Sequence, residues 1–278
     1  MGETFEFELP SGYNLACFSK TFGRDSSSPS ERLVGSEGIL ATPDGHLVRF
    51  HLSQVVSGCT TGDPVQAVTT LKRIMGVNQN VDEFESLIDK LAFHTLIDER
   101  KGARVPQSAS LFDGLIWAVI GQQINLRFAY KLRQRLFQNY GRPVGDGLFA
   151  TPTPERLAEL TREQLQPLQF SRRKAEYLIG IAQKGQGWLE EIEQSNAVNG
   201  RIQFMAVRGL GIWSTEYILM RSLGHPDCVP YGDTGLRSGL VRFYKLEQNP
   251  TLAEIEELMA PFIPYRSLAT YHLWQSLS

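Results

Sequence analysis

Cysteine is scarce: Cys17, Cys59 and Cys228 are the only three in the 278 residues. An odd number without C-x-x-C spacing argues against a disulfide framework, a structural zinc site and a cysteine-held iron–sulfur cluster. Reduced thiols are the expectation. No run approaches the roughly 18 apolar residues that a membrane span requires. The N-terminal stretch carries Glu3, Glu6 and Glu8 ahead of Pro10, which is not the make-up of a secretory signal. Positive charge is not in excess either, since 28 Lys and Arg face 30 Asp and Glu for a formal net charge of −2. The basic coat usual for a nucleic-acid binder is therefore missing, although a net value leaves room for a local basic face. There is no low-complexity segment and no repeat with a period of roughly 20–50 residues. What remains is the composition of a soluble, intracellular globular chain. Its 42% hydrophobic and 21% charged residues suffice for a sizeable core, and its length suits two domains.

The first third mixes strand and helix signals. Phe5, Phe7 and Leu9 alternate with acidic residues, a period of two that predicts a half-buried strand. Residues 38–42 and 46–52 flank Pro43-Asp44-Gly45, a turn sequence that predicts a hairpin. Asp63-Pro64 opens a helix with Val65, Val68, Leu71, Ile74 and Met75 on one stripe, closed by Gly76. From about residue 80 helical periods take over. Helices are expected over 81–96, 110–122, 126–140, 153–160, 161–165 and 172–183. Others are expected near Gln203 and over 214–223, 235–244, 251–258 and 267–277. The fold class is α+β, a small N-terminal antiparallel-sheet domain followed by a larger all-helical region.

Two segments carry chemistry. In Val207-Arg208-Gly209-Leu210-Gly211-Ile212-Trp213-Ser214-Thr215-Glu216-Tyr217, two glycines separate one helical run from the next. Glycine permits positive φ and close backbone approach, and the following helix start offers free N–H groups that suit a phosphate. A plain turn between two helices fits those two glycines equally well. The second segment is Cys228-Val229-Pro230-Tyr231-Gly232-Asp233-Thr234-Gly235-Leu236-Arg237. Leu236, Leu240 and Tyr244 recur at helical spacing, which puts Asp233 at or just before a helix N-terminus. It can be an ordinary cap, and the helix dipole favours a negative side chain there. A reaction passing through a cationic sugar would need such a carboxylate.

The hairpin V-x-G-L-G, the Asp233 after it and the upstream Gly121-Gln122-Gln123-Ile124 resemble the helix-hairpin-helix DNA glycosylase superfamily, in its 3-methyladenine DNA glycosylase II (AlkA type) branch. Segments 71–76, 112–120 and 264–269 resemble that branch in the same order, so the likeness covers most of the chain. It implies a sheet domain over 1–78, a central helical domain with the hairpin over 109–228, and a second helical subdomain from 79–108 and 229–278. The active-site cleft would lie between the helical parts.

The resemblance also implies roles for individual residues. Asp233 would stabilise an oxocarbenium-like transition state and assist an attacking water, a problem akin to glycoside hydrolysis. Bifunctional relatives carry a Lys nucleophile where this chain has Trp213, so hydrolysis without strand cleavage is expected. Gln122, Trp213, Tyr217 and Phe262 match positions around a flipped base, although Trp213 and Tyr217, four apart, equally suit a core stripe. Phe262 stands where the branch has a stacking Trp. Gln123 stands where it has a Leu wedged into the gap left by the flipped nucleotide. Arg208, Gly209, Gly211, Ser214 and Thr215 are the expected DNA contacts. Carbonyls of Val207 and Leu210 are the expected holders of a monovalent cation (Na or K), with no other cofactor required. Basic residues gather at 127–142 and at 172–174, where solvated helix faces are the default. The expected partner is double-stranded DNA containing damaged bases, bound by a monomer. Alkylated purines are the expected lesions. Hypoxanthine or an oxidised purine, and a non-catalytic damaged-DNA-binding protein, are the alternatives.

Overall fold

In a computed structural model, which describes residues 2–277, the chain begins with a five-stranded sheet. Its strands are β1 (Glu3–Glu8), β2 (Glu31–Val34), β3 (Glu37–Ala41), β4 (Leu47–His51) and β5 (Val55–Thr60), in the spatial order β1-β5-β4-β3-β2 and antiparallel throughout. The hairpin expected around Pro43-Asp44-Gly45 joins β3 to β4. Ala41 pairs with Leu47, and Gly45 (φ +85°) donates its N–H to the Thr42 carbonyl at 2.9 Å. Helices α1 (Leu15–Phe22) and α2 (Pro64–Ile74) complete this part. Phe7, Phe18, Val48, Phe50, Val56, Leu71, Ile74 and Met75 form its core. Asp63 caps α2 by accepting the Val65 N–H at 2.9 Å, and Gly76 ends it at φ +64°. The buried stripe of α2 is Ala67, Leu71 and Ile74, however, and Val65 is 69% exposed. Its place in the first turn carries it past the sheet.

The rest is helical apart from one small hairpin, β6 (Pro143–Gly145) and β7 (Leu148–Phe149). Leu148 packs on Ala41 and Leu47, covering the other face of the large sheet. The helices are α3 (Val81–Leu91), α4 (Leu111–Gly121), α5 (Leu126–Tyr140), α6 (Pro154–Ala158), α7 (Arg162–Leu165), α8 (Arg172–Ala182) and α9 (Gly185–Glu193). Then come α10 (Ala197–Met205), α11 (Ile212–Arg221), α12 (Thr234–Tyr244), α13 (Leu252–Met259) and α14 (Arg266–Gln275). One contiguous buried cluster runs through them from Val81 to Leu273. α4 is its axis, buried on nearly every face, which its almost wholly apolar sequence requires. None of the helices among the described residues is long and apolar enough to cross a membrane.

Sheet and helices are tied together by a buried ion cluster. Arg133 of α5 bonds Glu31 of β2 at 3.1 Å and Asp113 of α4 at 3.3 Å. Burial pushes the Asp113 carboxyl up, whereas at Glu31 the Arg133 guanidinium and the hydroxyls of Ser30 and Ser28 together outweigh burial and hold it low. The basic run 127–142 is accordingly only in part a solvated face: Arg127 and Lys131 are exposed, while the others are engaged. Arg133 is buried, Arg135 donates to the Leu168 carbonyl, and Arg142 donates to the carbonyls of Asp44 and Gly45. Lys174, expected on another such face, is 9% exposed.

Candidate active site

Helices α10 and α11 meet across the turn 206–211. Gly209 adopts φ +100°, and a Cβ there would overlap the Tyr177 ring of α8. Gly211 is different. It caps α11 at φ −99°, with open space where a Cβ would lie, so only the first glycine is required by the fold. The first-turn N–H groups of Ile212, Trp213 and Ser214 have no intrahelical acceptor; Ile212 is exposed, whereas Ser214 is buried.

The hydroxyls after the hairpin do not join them. Ser214 is 2% exposed and its Oγ takes a hydrogen bond from Gln122 at 3.0 Å. Thr215 is fully buried and its Oγ1 has no partner, so it cannot reach a phosphate. Neither side chain is therefore open to a phosphate. Gln122 also gives its amide to the Gly209 carbonyl at 2.8 Å. It therefore ties α4 to the hairpin, and it is absent from the wall of the cavity described below. Arg208 is exposed and lies 3.3 Å from Glu176.

Gln123 is exposed and sits in left-handed backbone at φ +56°, a conformation that costs a non-glycine residue about 1 kcal/mol or more. What holds it there is Lys174, which sequence reasoning assigned to a surface run. Its ammonium donates to the carbonyls of Val119 (2.9 Å), Ile120 (2.7 Å) and Gln122 (2.7 Å), closing the C-terminus of α4. Burial pushes Lys174 down to about 8. The unfolded chain keeps that proton to about pH 10.4, so global stability rises with pH between the two values while the clamp loses its charge. We expect affinity for an abasic-site duplex to fall as pH rises through 8, without loss of thermal stability. In Lys174→Met the affinity is lowered from the outset and this pH dependence disappears. Binding measured by anisotropy across pH checks it; a wild-type profile flat through pH 8 rules out the charged clamp.

Asp233 caps α12. Its Oδ1 accepts the Leu236 N–H at 2.8 Å and the Trp274 indole N–H at 2.9 Å, and its Oδ2 accepts the Trp213 indole N–H at 2.9 Å. The loop before it is pinned from both sides. Glu216 of α11, buried and paired with Arg201, accepts the Val229 N–H at 3.2 Å. Ser267 of α14 accepts the Cys228 N–H at 3.1 Å, and Arg266 is bonded to Asp227. A short loop thus carries the carboxylate with little freedom.

Around Asp233 the aromatic residues stack in sequence. Trp213 and Tyr217 lie ring on ring at 5.1 Å, and Tyr217 meets Trp274 at 6.1 Å. The Tyr217 hydroxyl accepts the Trp117 indole N–H at 3.0 Å, and Trp117 stacks on Tyr130 at 5.5 Å. Tyr217, Trp274, Trp117 and Tyr130 wall a cavity of about 270 Å³ that Phe22 and Arg24 also line. Asp233 is not on the wall, but both indoles that hold it belong to this aromatic array. Phe262 is elsewhere. It is fully buried in the turn after α13 and packs against Phe93 and Phe243. Trp274, not Phe262, is the aromatic residue that bonds Asp233 and lines the cavity. Its signal lay in the run after Pro264-Tyr265-Arg266-Ser267, where a Trp four residues beyond Thr270 looks like one more core position.

A loop–helix hairpin, an aspartate at a helix start and an aromatic cavity beside it define a class, and comparison with known proteins names it. Residues 116–264 match the HhH-GPD superfamily base excision DNA repair protein model. The chain belongs to that superfamily. It is 35% identical to a DNA-3-methyladenine glycosylase of Bacillus subtilis over 63% of this chain and 60% of that one, so the match spans less than two thirds of the relative's length. A putative DNA-3-methyladenine glycosylase of the same organism is 30% identical over 80% of this chain and 78% of its own. The solved 3-methyladenine DNA-glycosylase from Archaeoglobus fulgidus superposes with a TM-score of 0.86 at 23% identity, over 98% and 97% of the two chains, a likeness of fold.

Proposed function

We propose that the protein excises alkylated purines from duplex DNA by hydrolysing the N-glycosidic bond, acting as a monofunctional glycosylase. The observation that carries this is the Asp233 carboxylate, held by two indole N–H groups and a helix-start amide beside an aromatic-walled cavity. The hairpin N–H groups take a phosphate. Gln123 fills the gap in the duplex, and the flipped base enters the cavity and packs against the wall that Tyr217 and Trp274 form. An alkylated purine that is already cationic leaves with the C1′–N electron pair as a neutral base, so no strong general acid is needed. Positive charge then develops on the sugar, and Asp233 stabilises it before water adds at C1′.

No amine stands at the Trp213 position, and Lys174 is tied to three carbonyls, so no Schiff base forms there. His272, fully buried and pushed down to about 3, stays neutral and takes no part. The carbonyls of Val207 and Leu210 are the ones that would hold a monovalent cation; that of Val207 accepts the Leu210 N–H at 3.1 Å. A cation there would add positive charge beside the phosphate. The test is the fate of the strand: methylated duplex yields free base and an abasic strand that breaks only on heating, with no protein adduct trapped by borohydride. Nicking without heat, or a trapped adduct, overturns the monofunctional reading.

A further inference from the structure

Three arginines from three separate elements converge on one carboxylate next to the hairpin. Arg162 of α7 lies 2.9 Å from Glu176, Arg172 of α8 lies 3.0 Å from it, and Arg208 of the hairpin turn 3.3 Å. Their side chains are 42%, 77% and 81% exposed. Each guanidinium has five N–H donors, and most of them point to no other protein group. With Lys184, which lines the same hollow as Arg162 and Arg208, the patch holds four cations against two carboxylates, Glu163 and Glu176. Arg172 and Arg173 stand in the first turn of their helix, where the dipole disfavours positive charge. Stability is therefore not what this arrangement serves. Glu176 holds the arginines apart from solvent-driven disorder, while the excess charge stays available to an anion.

We propose that this patch grips the phosphate backbone of the duplex flanking the lesion, beyond the contacts of the hairpin itself. Guanidinium groups suit it, because they take phosphate oxygens two at a time and need no sequence. The site rests on the DNA-glycosylase reading above, and it lies on the hairpin side through Arg208 and through Tyr177, whose ring abuts Gly209. It gives a chain with a net charge of −2 a local excess of positive charge beside the hairpin.

The test uses the full chain with Arg162→Gln and Arg172→Gln combined, leaving Arg208 in place. Affinity for an abasic-site duplex is measured by anisotropy against salt, on a long duplex and on one trimmed to roughly one helical turn, about 10 base pairs, around the abasic site. Each lost phosphate contact removes about 0.9 from the slope of log K against log salt, so the double variant flattens it by about 2 on the long duplex. Affinity for the trimmed duplex and the single-turnover rate of base release stay at the wild-type values. Arg172→Glu weakens long-duplex binding further, and thermal unfolding of each variant matches wild type. An unchanged slope on the long duplex overturns the patch, and so does equal weakening on the trimmed one. If wild type releases base while the variant binds like it, the patch alone falls. A wild type that binds no duplex would sink patch and glycosylase reading together.

Discussion

Asp233→Asn lowers the single-turnover rate of base release from methylated duplex DNA by roughly 10²–10³-fold, the scale seen when one group aimed at developing charge is removed. The substitution is nearly isosteric. Asn is a good helix cap, so the Leu236 N–H keeps an acceptor and α12 keeps its start. Two things change. The negative charge beside the sugar is gone, and the amide NH₂ now faces one of the two indole N–H groups, donor against donor. The second effect costs about 1–3 kcal/mol locally but leaves the hairpin untouched. Affinity for an abasic-site duplex is therefore expected to stay within a few-fold of wild type. Equal rates for Asn and Asp would show that the carboxylate only caps its helix.

The second large effect separates two aromatic residues that sequence reasoning confused. Trp274→Phe keeps a ring on the cavity wall but removes the indole N–H that bonds Asp233 Oδ1 at 2.9 Å. A hydrogen bond to a charged group is worth about 1.5–3 kcal/mol, so base release slows by roughly 10–100-fold and the stability lost is smaller than that of emptying a core site. Phe262→Ala does the reverse. It empties a fully buried site lined by Phe93 and Phe243, at about 3–5 kcal/mol of stability, while the folded fraction keeps its rate. Base release lost in Phe262→Ala at unchanged melting temperature would restore Phe262 to the pocket.

Much of this was legible from the residues. The period-of-two stretch at Phe5–Leu9 and the Pro43-Asp44-Gly45 turn located the sheet, and α5 ends where its periodicity ends, at Leu126 and Tyr140. What escaped had weak local signals. β2 is four residues long, β5 contains Ser57 and Gly58, and α9 begins with two glycines in three residues. α1 spans only eight residues. Their stability comes from tertiary contact, as at Gly58, where the Arg49 carbonyl leaves no room for a Cβ.

The site shows the same division. Asp233, Trp213 and Tyr217 sit together because they belong to segments whose order and spacing were readable. Trp274 arrives from a helix 41 residues further on, and nothing local distinguishes a Trp that bonds a carboxylate from one in the core. Thr215 failed for the opposite reason. In the first turn of a helix its hydroxyl can face the phosphate or the core, and only packing decides. Lys174 looked like surface charge because a buried ammonium is rare unless backbone carbonyls converge on it, and that convergence is a tertiary fact.

The account centres on negative charge waiting for a sugar cation. It is tested most directly by comparing two abasic duplexes, one with a cationic pyrrolidine in place of the deoxyribose and one with neutral tetrahydrofuran. Wild type should bind the pyrrolidine duplex about 10²-fold or more tightly than the neutral one, and Asp233→Asn should bind the two alike. Equal binding of the two duplexes by wild type would contradict the account.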